Sequence, residues 1–197
     1  YKRQVYMPWL GKKAYDGIMA AYTAASRKNG KKYIPLIKNA TQLYVIERGA
    51  LCGVVLDGSY NLTEANYKTS LQNMVDRVLI TDKDGNQIGV VEDTAAQQKY
   101  GVVQTVYKQE DGKDAQTEAK ALLQTLEQTG SVTGCQGDSR AVSGYALIVQ
   151  ETTTGLFGKF YIESDTHTFT DGKHEMALTL AFSNMMDEKE IENQSQG

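Results

Sequence analysis

With 197 residues, 41% of them apolar and 23% charged, the chain can bury the core of one ordinary domain and a small companion, which excludes wholesale disorder. No run of eighteen apolar residues and no charged-then-apolar leader is present, which excludes a membrane-spanning helix and a recognisable secretory signal. The net charge of −3 hides a split: residues 1–38 carry nine Lys/Arg against the single acid Asp16, whereas the remainder has 12 basic and 23 acidic residues. Such a split favours complementary protein surfaces over nucleic acid, because the cations are not interleaved with the aromatic and glycine residues of an RNA-binding motif. The chain opens on Tyr1 rather than on an initiator methionine, which reads as a piece of a longer protein.

Residues 12–29, KKAYDGIMAAYTAASRKN, predict a helix: Tyr15, Ile18, Met19, Tyr22 and Ala25 form one apolar stripe, and Gly30 supplies the stop. KYIPLIK and TQLYVIER follow as two short strands joined at Lys38-Asn39-Ala40, the first an edge strand because of Pro35. Residues 1–50 thus predict a small basic α+β unit of helix then hairpin.

After the polar run DGSYNLTEANYKTS, the β-rich segments NMVDRVLIT and QIGVVED flank DKDGN at residues 82–86. Asp82, Asp84 and Asn86 imitate the first ligands of a calcium loop. However, Gln87 stands where the sharp bend needs Gly, and Asp93 where the bidentate Glu belongs, so the segment reads as an Asp-Gly turn. YGVVQTVYKQ is a further strand. Residues 114–129 predict a second helix, with Ala115, Ala119, Leu122 and Leu126 inward, Asp111 or Asp114 as cap and Gly130 as stop. SVTGCQGD, AVSGYALIVQE, LFGKFYIESDTHTF and HEMALTLAF complete the strands. The expected fold class is α+β, mainly antiparallel β. Residues 51–187 would form a barrel-like domain with one inserted helix near 114–129, and residues 188–197 a frayed polar tail.

Both histidines lie in residues 158–182, among Glu163, Asp165, His167, His174 and Glu175, a composition that raises the question of a metal or acid/base site. Residues i and i+2 of a strand share a face, so the turn decides. A two-residue turn at Asp171-Gly172 sets Asp165 opposite Leu178 and Glu163 opposite Leu180, placing carboxylates against an apolar row. A three-residue loop at Thr170-Asp171-Gly172 sets Phe160 opposite Phe182, Ile162 opposite Leu180 and Thr166 opposite Met176. The hydrophobic pattern chooses the second register, in which His167 and His174 point to opposite sides and no metal ligands converge.

Cys52 and Cys135 stand in no metal-binding spacing and read as reduced thiols. No P-loop, GxGxxG or nucleophile elbow occurs. The sequence therefore assigns no catalytic, cofactor-binding or metal-binding residue and no cofactor.

The order and wording of WLGKKAYDGIMAAYTAASRKNGKKYI, SLQNMVDRVLITDKDGNQIGVVED, YGVVQTVYKQEDGKDAQTEAKALL and GLFGKFYIESDTHTFTDGKHEMALTLAF resemble the C-terminal portion of XkdQ/YqbQ-like phage tail proteins, members of the contractile-tail baseplate hub family that includes PBSX-like prophages. The resemblance implies a non-enzymatic structural component of the virion tail, made in the bacterial host cytoplasm. It also implies a homotrimeric ring contacting spike, tail-tube and other baseplate proteins. No LysM signature is present, so no hydrolase activity carries over. The alternative is a tail-associated peptidoglycan hydrolase using the acid-rich hairpin, with Glu163 and Glu175 as the carboxylates to test.

Overall fold

Helix α1, Ala14–Asn29, opens the part of the chain described by the computed structural model, residues 13–190. Lys12 at the start of the expected helix, the cations Lys2 and Arg3, and residues 191–197 of the expected tail lie outside the described residues. Gly30 caps α1 in the left-handed conformation, its N–H donating to Ser26 O. The buried face of α1 is Met19, Ala20, Thr23 and Ser26, turned from the expected stripe so that Tyr15 is exposed. Thr23 explains the turn: its hydroxyl donates to Met19 O (2.8 Å) and accepts from Lys189 N (3.1 Å). Residues 188–190, expected to fray, are therefore held along the basic helix together with Asp187. Tyr15 donates to Asp187 there, Arg27 pairs with Glu190 at 2.5 Å, and Lys32 with Glu188 at 2.8 Å.

Strands β1, Tyr33–Lys38, and β2, Gln42–Glu47, form the expected hairpin. The main sheet contains β3 (Leu51–Asp57), β4 (Glu64–Ser70), β8 (Glu127–Gln136), β9 (Ala146–Glu151), β10 (Leu156–Thr170) and β11 (Lys173–Ala181), in the order β3-β9-β10-β11-β8-β4. Among the described residues no pairing joins β3 to β4, so the sheet is open where a barrel was expected. The β3–β9 pair is parallel, which makes the sheet mixed. Val132, Cys135, Leu147, Val149, Leu156, Phe160, Ile162, Met176, Leu178 and Leu180 pack on its buried face. Gly130, expected to stop a helix, lies in β8 opposite Leu180, and a Cβ there would meet Leu156 at 3.2 Å.

The chain divides into two compact units: residues before 68 with those from 129 onward, and residues 68–128. Within the second, β5 (Arg77–Thr81), β6 (Gln87–Glu92) and β7 (Gln104–Lys108) form a sheet in the order β6-β5-β7, with β5 and β7 parallel. Its connections hold two helices rather than one. Helix α2, Thr94–Tyr100, was not expected; the Asp93 carboxylate caps it by accepting from Ala95 N and Ala96 N. Helix α3, Ala115–Ala121, is capped by Asp114 and is half the expected length. It ends because Gln124 and Val75 exchange backbone hydrogen bonds, which pulls the chain into an extended bridge. Ala119 meets Val78 and Ile80 in this unit's core. The carboxylate of the buried Asp76 accepts from Val103 N at 2.9 Å, tying the start of β7 to β5.

Candidate functional site, the histidine hairpin

Two registers coexist in the β10–β11 hairpin. At its tip, Thr170 pairs with Lys173 around a two-residue turn whose residues, Asp171 and Gly172, have φ of 51° and 74°. That is the mirror-image turn whose twist suits a hairpin, and it is the one the hydrophobic pattern had rejected. Phe169 then faces His174, His167 faces Met176, and Asp165 faces Leu178. Between Ile162 and Ser164 one extra residue, Glu163, is extruded, and beyond it Ile162 faces Leu180 as expected. The bulge therefore satisfies the apolar row without the three-residue loop. It also puts Ile162, Asp165, His167 and Phe169 on one face of β10.

The consequence overturns the expected divergence of the histidines. His167 and His174 share a face, with His167 Nδ1 and His174 Nε2 2.8 Å apart. The other nitrogen of His167, Nε2, lies 3.1 Å from Ala141 O and 3.6 Å from Asp165 Oδ2. A carbonyl oxygen only accepts, so His167 Nε2 carries a proton and Nδ1 is left to accept from His174 Nε2. The His174 ring stacks on Phe169 at 4.1 Å between centroids. The ring also lies close to Gly137, where a Cβ would fall 2.2 Å from it. Asp165 tolerates its place opposite Leu178 because its Oδ1 accepts from Ser143 N at 2.7 Å. Glu163, put out by the bulge, is exposed and pairs with Arg48. Glu175 is exposed, and His174 shares a cleft of about 430 Å³ with Tyr60, Thr63, Gly134 and Gln136.

The other sequence candidates resolve individually. Asp82 turns its carboxylate onto its own loop, accepting from the backbone N–H groups of Asp84 and Asn86 and from the Asn86 side chain. The Asn86 amide holds its pKa below the usual carboxylate range. These are the hydrogen bonds of an Asp-Gly turn. Cys52 and Cys135 are both free; burial in the sheet core pushes the Cys135 thiol up to about 11, so it stays protonated at neutral pH. Sequence reasoning missed Gly137, Ala141 and Ser143, whose contributions are backbone atoms or the lack of a side chain. No motif marks such roles.

The fold defines an α+β protein of mixed sheets, in which the polar groups of the main hairpin order neighbouring loops. A family model described as YQBQ-like matches residues 6–181, and the chain belongs to that family. It is 26% identical over 192 residues to the phage-like element PBSX protein XkdQ of Bacillus subtilis (strain 168), covering 88% of this chain and 56% of XkdQ. The prophage MuSo2 43 kDa tail protein from Shewanella oneidensis has a similar fold, with a TM-score of 0.54 and 14% identity over 76% of this chain and 49% of that one. The chain thus spans about half the length of these relatives.

Proposed function

We propose that this chain is a structural component of a contractile-tail baseplate hub in a phage or prophage, residing in the virion tail and working through surfaces rather than turnover. The observation that carries the reading is the family match over residues 6–181, joined by similarity to a protein of a phage-like element. In this reading the chain assembles with itself as a homotrimer and meets spike, tube and other baseplate proteins. Among the described residues β3 is the outermost strand of the main sheet, and its exposed Leu51 and Val55 suit such contacts, although the Asn61 side chain already bonds Val55 O and Asp57 N on its outer edge. Of the two carboxylates the hydrolase alternative would use, Glu163 is paired with Arg48 and Glu175 is exposed, so no acid/base pair converges in the hairpin.

Mass spectrometry of purified tail particles tests the assignment: peptides from this chain should co-sediment with the tails. Their absence from intact tails overturns it. Light scattering of the purified chain across concentrations tests the homotrimer separately. Incubation with cell walls should leave turbidity unchanged; clearing abolished by Glu163→Gln or Glu175→Gln would favour the hydrolase.

A further inference from the structure

We propose that His167 and His174 form a binding site for one divalent transition-metal ion of the zinc, nickel and copper class. The proposal stands independently of the tail assignment. Its basis is that two imidazole nitrogens already face one another at 2.8 Å, each ring held in place by other groups. Two nitrogens on a tetrahedral zinc ion stand ~3.3 Å apart, given Zn–N bonds of about 2.0–2.1 Å, so the nitrogens need to part by about half an ångström and the rings to tilt until both lone pairs converge on the ion.

The surroundings are those a metal-binding imidazole requires. A ligating histidine usually gives its second N–H to a carbonyl or carboxylate, which fixes the ring and raises its basicity. His167 Nε2 has both at hand, Ala141 O at 3.1 Å and Asp165 Oδ2 at 3.6 Å, and Asp165 is itself anchored by Ser143 N. His174 stacks on the Phe169 ring and lies close to Gly137, whose N–H donates to His174 O at 2.8 Å.

Besides that ring movement, metal entry requires that the proton between the rings move from His174 Nε2 to His174 Nδ1. Both facing nitrogens then present lone pairs. Among the described residues no third histidine, cysteine or carboxylate converges on the pair, so water fills the remaining positions. Imidazole donors select zinc, nickel or copper over calcium or magnesium, which demand oxygen.

The test is calorimetric titration of the whole chain with Zn²⁺ and Ni²⁺, with circular dichroism to confirm that each variant is folded. We expect one saturable site, weakened more than ~tenfold in His167→Asn and in His174→Asn and about tenfold in Asp165→Asn. In the unaltered protein, one equivalent of Zn²⁺ should shift the imidazole ¹⁵N resonances of both rings, a readout that needs no variant. No saturable binding at millimolar metal overturns the proposal. So does binding unchanged in both histidine variants, binding lost in Cys52→Ser instead, or imidazole resonances that do not move.

Discussion

Gly137 has room for a hydrogen and for little else. A methyl group there would fall 2.2–2.6 Å from three atoms of the His174 ring, so Gly137→Ala must displace either the ring or the strand end. Overpacking of this kind costs about 1–3 kcal/mol, which chemical denaturation should detect, together with loss of the Phe169–His174 stack. Two carboxylates make a pH prediction with a definite sign. The Thr154 hydroxyl and the neighbouring amides hold Glu151 at about 2, against an ordinary 4.5, and the Arg140 guanidinium holds Asp138 at about 2, against 3.8. A folded-state pKa below the unfolded one means stability that is fully present above the ordinary carboxylate value. It is lost as pH falls toward 2. Carboxyl NMR titrations of the folded chain should show both midpoints near 2; midpoints near 4 would mean that the turn contacts do not persist in solution.

At the scale of elements, each departure from the expected pattern has a partner elsewhere in its own unit. Helix α3 stops short because the Gln124–Val75 bridge competes with further helical turns, so what remains depends on its cap. Asp114 accepts from Thr117 N and from the Thr117 hydroxyl, and Asp114→Ala should cost about 0.5–2 kcal/mol. Thermal melts will show whether the loss falls in that range. Helix α1 turns a face of small and polar residues inward because a backbone segment, 187–190, lies against it. The exposed ion pairs along this contact, Arg27–Glu190 among them, are screened by solvent and add little, so the Thr23 hydrogen bonds and packing carry more of it. In the β10–β11 hairpin, a bulge at Glu163 does what a longer turn was expected to do.

Across the molecule, part of the charge asymmetry is consumed internally: Arg27, Lys31 and Lys32 from the basic segment meet Glu190, Glu47 and Glu188. Such pairs set which surfaces fit more than they stabilise. Stability rests on the sheet core, where Leu178 and Leu180 are buried against Val132 and Ile162. Leu180→Ala should cost about 2–5 kcal/mol. Leu178→Asp, which strands a charge among apolar side chains, should leave the chain unfolded by circular dichroism. A folded Leu178→Asp protein would show that this face of the sheet is not its core.

The sequence by itself determined what local periodicity encodes: helix α1 with its glycine stop, the two early hairpins, strands β9, β10 and β11 with most of β8, and the α+β class, whereas β3 and β4 of the main sheet were not legible. Its wording over most of the chain also carried the family. Even α2 was legible, since an aspartate precedes a run of good helix formers, although the pattern was not used. Only the tertiary structure decided the register of the histidine hairpin, the length of α3 and the openness of the sheet. The reason is that strand faces alternate with a period of two, so one extruded residue reverses every face beyond it. Nothing local to Glu163 marks that extrusion. It follows from the pairing of β10 with β11 and from Ser143 N supplying the hydrogen bond that lets Asp165 face inward. That single offset separates two histidines on opposite sides of a strand pair from two nitrogens 2.8 Å apart.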